Sequence, residues 1–240
     1  MAEYETVRTA GVGSHTAAID EGLKAHMNKT YGLMSIAMLI TGAVAYTVGN
    51  NEAMLAAIFG TPLRWVVMFA PLIVVFAFGA MINRMSAGAA QLVFWAFSAL
   101  MGLSISYIFA VYTGMSIAQT FFVTAIAFAG LSLYGYTTKK DISGWGSFLI
   151  MGVIGLIVAS VINIFIGSPA IQFAVSVLGV LIFAGLTAYD TQRIKTEYIQ
   201  MAQHGEAEWI AKSAIMGALS LYLNFLNMFL FLLQFLGNRE

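Results

Sequence analysis

Asp190, Asn224 and Asn227 are the residues of this sequence whose chemistry most needs an explanation. Asp190 ends the apolar run 181–189, and among the acidic residues it alone lies against the inside of a long apolar segment. Ionisable groups within membrane spans are typical of ion pathways and proton relays. Arg193, one helical turn further on, predicts an ion pair with Asp190 at the headgroup level. The alternative is that these two residues form an ion pair at the membrane interface that has no further function.

Polar residues recur at helical spacing on the last two apolar segments. They are Gln172, Ser176, Gly179, Thr187 and Asp190 on the sixth segment, interrupted by Phe183, and Ser213, Gly217, Ser220, Asn224, Asn227 and Gln234 on the seventh. At helical pitch each set falls on one face. Because lipid cannot satisfy amide side chains, both faces are expected to point into a bundle and to meet there. Hydrogen bonding that only holds the bundle together is the alternative for the two asparagines.

The surroundings of Asp190 are expected to influence its charge. Partial desolvation disfavours the ionised form, and so does the negative end of the helix dipole if the helix ends close to residue 191. Arg193 opposes both effects. Arg84, which ends the second apolar segment, is a second candidate partner on the same side of the membrane.

Composition shows what kind of protein must position these residues. The chain is 60% hydrophobic and 9% charged, with a mean hydropathy of +0.85. Soluble domains carry about 25% charged residues, so this sequence predicts an integral membrane protein in the lipid bilayer. Eleven basic and eleven acidic residues cancel, which leaves no electrostatic footprint for nucleic acid. The absence of cysteine excludes disulfides and thiolate metal sites.

Seven apolar segments are long enough to cross a bilayer. They lie near 31–49, 65–83, 89–111, 117–137, 147–167, 171–191 and 213–236. Nine basic residues fall on one side of this topology and two on the other, which predicts a cytoplasmic N-terminus. The expected organisation is a disordered cytoplasmic tail over residues 1–29, with solvated His15 and His26, followed by a seven-helix membrane domain over residues 30–237. We expect the domain to act as a monomer.

Enzyme chemistry is not expected. The sequence Gly130-Leu131-Ser132 does not continue into a serine hydrolase motif, and none of the seven predicted segments contains a histidine. The same lack of histidine argues against a zinc hydrolase. A retinal pump would need a lysine deep in a span, whereas Lys212 lies at the mouth of the seventh segment.

Four stretches of the sequence closely resemble the Bax inhibitor motif family of membrane proteins. They are HMNKTYGLM (26–34), TTKKDISGWGSFL (137–149), AGLTAYDTQRIK (184–195) and ALSLYLNFLNMFLFLLQFLG (218–237). The resemblance implies an all-α bundle of seven transmembrane helices with the C-terminal helix at the centre. It also implies a pH-sensitive calcium leak channel in which an aspartate pair near the cytoplasmic mouth shares a proton. No resident cofactor is implied, and calcium is the transported ion.

The resemblance assigns roles to individual residues. Asp190 matches the first aspartate of the pair and is the candidate ligand for a passing calcium ion, while Asn224 stands where the family usually has the second aspartate. Arg84 is the candidate for a basic latch. The expectation is therefore a pH-modulated cation leak gated around Asp190, in a bacterial inner membrane. The alternative is an adaptor that modulates a membrane-anchored ATP-dependent protease, with the loop 196–211 as its docking surface.

Overall fold

The computed structural model describes the backbone of residues 2–202 and 207–238 and the side chains of residues 19–201 and 207–238. This part of the chain is helical and contains no β-strand. Its helices are α1 (Ala2–Gly49), α2 (Glu52–Phe59), α3 (Leu63–Met81), α4 (Ala87–Ile105), α5 (Gly114–Thr137), α6 (Trp145–Ile166), α7 (Pro169–Ala202) and α8 (Ala207–Leu236). All except α2 are long and apolar enough to cross a membrane. The predicted all-α bundle of seven membrane helices is therefore confirmed.

Short local signals set the connections between the helices. The hydroxyl of Ser86 accepts a hydrogen bond from the backbone N–H of Ala89 and caps α4, and Thr113 caps α5 in the same way. Gly167 ends α6 in the left-handed conformation with φ 66°, which glycine adopts without steric cost. Pro169 then begins α7, where its missing N–H is no loss. The tight turn at Gly167 and Pro169 makes α6 and α7 antiparallel neighbours, whereas α5 packs mainly against α7 and α8.

Helix α8 forms the centre of the bundle. It packs against α1, α4, α5 and α7, while α3 lies against α4 and α6 lies against α7. Within their apolar stretches, 61% of α8 is buried but only 11% of α6. The C-terminal helix is therefore central, as the family resemblance implies, and α3 and α6 are the helices most open to lipid.

Helix α1 begins well before the boundary expected at residue 30. Leu23, His26 and Met27 are buried in the described part of α1, and the imidazole of His26 packs on Tyr198 of α7 at 4.8 Å between ring centroids. The expectation of a solvated His26 was therefore wrong, and so was that of a disordered tail for residues 19–29. Polar residues occupy the opposite face of α1. They lower the mean hydropathy of this segment, so hydropathy alone did not reveal the apolar stripe. The side chain of His15 lies outside the described residues.

Helices α7 and α8 both extend past the predicted edge of the membrane. Ala202 lies about 18 Å beyond Asp190 along α7, and Ala207 lies about 26 Å before Asn224 along α8, at 1.5 Å per residue. Asp190 is therefore not at a helix end, and the expected dipole effect on its charge does not apply, because that effect fades within the last turn. Most of the predicted loop 196–211 is helix; His204 and Glu206 lie outside the described residues.

Candidate functional site

The two polar faces meet at Asp190 and Asn224. The side-chain amide of Asn224 donates a hydrogen bond of 2.7 Å to Oδ2 of Asp190, and both residues are buried. Because α7 and α8 are antiparallel and both continue well past these residues at the same end of the bundle, the two residues reach the same depth. The predicted contact between the faces is confirmed.

Arg193 holds the other carboxylate oxygen. Its Nη2 lies 3.0 Å from Oδ1 of Asp190 and also donates a hydrogen bond of 3.2 Å to the hydroxyl of Ser220 on α8. The side chain of Asp190 is 8% exposed, whereas that of Arg193 is 40% exposed. The predicted ion pair is thus formed. Both carboxylate oxygens accept hydrogen bonds, which is the pattern that an ionised carboxylate needs.

A cleft at the end of the bundle that is predicted to be cytoplasmic is lined by Arg193 but not by Asp190. This cleft has a volume of about 580 Å³ and includes Tyr189, Arg193 and Glu197 among its lining residues. Glu197 Oε1 lies 3.6 Å from Nε of Arg193, a separation that allows charge attraction but not a hydrogen bond. Nε itself is buried and has no hydrogen-bond partner. The bonds that hold Arg193 are therefore the pair with Asp190 and the contact with Ser220.

Further outward, the two faces meet again at Ser176 and Gln234. The hydroxyl of Ser176 donates a hydrogen bond of 3.1 Å to the Oε1 atom of Gln234. We call the line along which the polar faces of α7 and α8 meet the seam. Asn227 does not take part in it, because its amide donates to the backbone carbonyl of Leu223 in its own helix at 2.8 Å. The amide of Asn227 is therefore satisfied within its own helix, and we assign this residue to packing rather than to a role beside Asp190.

Arg84 is not brought to Asp190. It lies in a 3-10 turn that follows α3 and is exposed, whereas the cation at Asp190 within the described residues is Arg193. Helix α3 packs on α4 at the edge of the bundle, away from the seam between α7 and α8. If a latch exists in this arrangement, Arg193 occupies its position.

The described side chains around Asp190 supply few ligands for a metal ion. Within the described residues no group of three or more His, Asp and Glu side chains converges. Asp190 and Asn224 together offer three side-chain oxygens, whereas calcium takes six to eight oxygen ligands.

A second buried network was not predicted from the sequence. Thr41 of α1 is bonded through its hydroxyl to the hydroxyl of Tyr222 at 2.8 Å and to the backbone carbonyl of Ser98 of α4, also at 2.8 Å. Tyr222 is fully buried. It lies two residues before Asn224 and so on another face of α8, which is why a search along the polar stripe missed it. This network ties α8 to α1 and α4 and fixes the rotation of α8 that aims Asn224 at Asp190.

Comparison with known proteins places the chain in a family. The family described as inhibitor of apoptosis-promoting Bax1 matches residues 23–240. An uncharacterized protein of Caulobacter vibrioides is 47% identical, over 93% of this chain and 92% of the relative. The Escherichia coli (strain K12) protein named inner membrane protein YbhL is 44% identical, over 91% of this chain and 94% of the relative. Together with the seven apolar helices, these matches show that the chain is a multi-pass integral inner-membrane protein and belongs to the Bax inhibitor-1 family.

Proposed function

We propose that this protein is a cation leak pathway whose cytoplasmic gate is the cluster of Asp190, Asn224 and Arg193. The observation that carries the proposal is a buried carboxylate held between an amide of the central helix and a half-exposed guanidinium. A buried anion attracts cations strongly because the surrounding dielectric constant is low.

The gate closes when Arg193 neutralises Asp190. In that state the guanidinium lies between the carboxylate and the cytoplasmic cleft, and a cation approaching from the cleft meets a positive charge. When Arg193 swings into the cleft, where part of its side chain is already exposed, the carboxylate faces the pathway. The exchange costs one charge-assisted hydrogen bond, about 1.5–3 kcal/mol, part of which is regained by solvation of the guanidinium.

Asn224 sets how this gate responds to protons. An amide has nearly the shape of a protonated carboxyl group and cannot titrate. A pair of carboxylates at this distance could not ionise together and would share a proton. With asparagine at position 224 that shared proton is absent, so pH acts through Asp190 alone, and the response to pH is weaker than in a carboxylate pair.

Calcium is the ion that we propose for this pathway, on the strength of the family resemblance and of the chemistry of Asp190. Calcium binds oxygen ligands and accepts water among them. A single carboxylate with an amide oxygen nearby would hold the ion weakly, and a weak site suits conduction because the ion must also leave.

Calcium flux into liposomes that contain the purified full-length protein tests the proposal. The unaltered protein should conduct, and Asp190→Asn should abolish flux because it removes the attracting charge and leaves Arg193 unpaired. Asp141→Asn is the matched control in the connection between α5 and α6. The backbone N–H of Ser143 donates to Asp141 and holds the pKa of that carboxyl below its usual range, and the amide oxygen of asparagine preserves this bond. Equal flux in both variants would overturn the proposal.

An adaptor for a membrane-anchored protease is the second candidate. The helical extensions of α7 and α8 beyond Asp190 give the protein a surface outside the bilayer that a partner could contact. An adaptor without a pathway would show no flux in purified form and would retain a protease on isolation from the native membrane. Flux that depends on Asp190 in the purified protein would contradict this second candidate.

A further inference from the structure

Both polar faces of the seam are interrupted by a phenylalanine. On α7, Phe183 occupies the position between Gly179 and Thr187, and on α8 the step from Asn227 to Gln234 passes over Phe231. The two rings lie against each other in a stacked arrangement, with 5.9 Å between centroids and 26° between planes. The interruptions therefore coincide at one level of the bundle.

The small size of Gly179 allows the two rings to lie together between α7 and α8. A Cβ atom placed on Gly179 would lie 2.6 Å from the ring of Phe231, so only glycine leaves room for the ring at this position. Phe183 is buried, and Phe231 is partly buried. The ring of Phe231 thus fills the space between α7 and α8, where a polar side chain would otherwise continue the seam.

A cavity at the other end of the bundle, close to the turn between α6 and α7, reaches Phe231 of this pair. It has a volume of about 360 Å³, it is lined by Asn163, Gln172 and Gln234 among others, and Phe231 forms part of its wall. On each helix the phenylalanine lies about 10 Å from Asp190 or Asn224, at 1.5 Å per residue. The order along the seam is therefore outer polar cavity, aromatic pair, carboxylate cluster and cytoplasmic cleft.

We propose that Phe183 and Phe231 form a hydrophobic constriction, a second barrier in series with the carboxylate cluster. Narrow apolar constrictions stop ions because water does not fill them. The cluster would then control the cytoplasmic entrance, while the aromatic pair keeps the outer cavity separated from it. The role in ion flow rests on the proposed function, but the separation of the outer cavity from the carboxylate cluster does not.

The natural absence of cysteine allows a direct test of this separation. Single cysteines replace Gln234, in the outer cavity, and Thr187, one turn inward of Phe183. The small thiol-reactive cation Ag⁺ is added from the outer side to sealed vesicles that contain the full-length protein, and the remaining thiol is counted after denaturation. Gln234→Cys should be blocked rapidly and Thr187→Cys should stay unreacted. Adding Phe231→Ala should raise the rate at Thr187→Cys towards that at Gln234→Cys.

A second aromatic pair on the same two helices supplies the matched control. Phe173 and Phe235 lie 5.3 Å apart between centroids but are both exposed on the lipid side. Phe235→Ala should therefore leave Thr187→Cys unreacted. Phe231→Leu, which preserves an apolar side chain, should give an intermediate rate and covers the case in which the alanine variant does not fold.

Two outcomes would overturn the constriction. In the first, the Thr187→Cys thiol reacts as fast as the Gln234→Cys thiol although both phenylalanines are intact. In the second, the Thr187→Cys thiol stays unreacted in Phe231→Ala and Phe231→Leu proteins that are folded. Neither outcome depends on conduction. If the accessibility pattern holds in a protein that passes no calcium, the leak function fails and the constriction stands. If calcium passes but the pattern fails, the constriction alone is withdrawn.

Discussion

The amide nitrogen of Asn224 lies 2.7 Å from a carboxylate oxygen of Asp190, in the buried centre of a membrane bundle. This contact joins the central helix α8 to α7 at the depth where Arg193 also reaches the carboxylate. A buried charge with two donors is stable only while both donors stay in place. Changes to either donor should therefore affect both the stability of this site and its function.

Arg193→Gln should increase calcium flux. The glutamine cannot neutralise Asp190, so the carboxylate is left facing the pathway. Loss of a charge-assisted hydrogen bond of about 1.5 kcal/mol corresponds to about a tenfold larger open fraction. Flux into liposomes measures the change.

Arg84→Gln is the control for that experiment. Arg84 is exposed and does not contact Asp190, so its removal should leave flux at the level of the unaltered protein. A larger increase for Arg84→Gln than for Arg193→Gln would show that the latch is Arg84 after all, and that the contact with Arg193 is incidental.

Gly135→Ala should destabilise the bundle close to the site. A Cβ on Gly135 would collide with the backbone oxygen of Ala188 on α7, and backbone cannot move aside without separating the helices. Overpacking of this kind costs about 1–3 kcal/mol. The thermal unfolding midpoint in detergent, followed by circular dichroism, should fall.

Gly130→Ala provides the comparison on the same helix. No atom lies within 4 Å of a Cβ at Gly130, and alanine favours helix over glycine by about 1 kcal/mol. The midpoint should therefore stay constant or rise. Equal losses in both variants would mean that α5 does not approach α7 as closely as described.

Tyr222→Phe should weaken the attachment of α8 to α1. It removes the hydroxyl that meets Thr41 and leaves the ring in place, at a cost of about 0.5–1.5 kcal/mol for one hydrogen bond. Tyr46→Phe is the matched control, because Tyr46 is exposed on α1. A lower unfolding midpoint is expected only for Tyr222→Phe, and no difference between the two would contradict a structural role for the network.

The sequence contained enough information to predict the bundle and the meeting of the two polar faces, but not that Asp190 and Asn224 lie at the same depth. Apolar length predicted the seven spans, and helical spacing placed the two residues on facing stripes, because lipid leaves polar side chains only one direction to point. The ends of α1, α7 and α8 were less predictable. Hydropathy reports contact with lipid, whereas these helices continue by packing on each other, as His26 does on Tyr198.

Contacts between side chains on helices that are distant in the sequence could not be predicted either. Arg84 and Arg193 were equally reasonable partners for Asp190 until the edge position of α3 was known. Tyr222 gave no periodic signal, since its partner Thr41 comes from a distant helix. The gap of seven residues between Asn227 and Gln234 in the polar stripe of α8 pointed to Phe231. The gap could be interpreted only from the contact between Phe231 and Phe183, which the sequence does not show.

The most direct measurement of the central claim is calcium flux against pH for the unaltered protein and for Asn224→Asp, in liposomes of the same composition. We expect flux in both, with a steeper dependence on pH in the variant, because two carboxyl groups 2.7 Å apart must share a proton. Absence of flux from both proteins at every pH, or identical pH profiles for two conducting proteins, would contradict it.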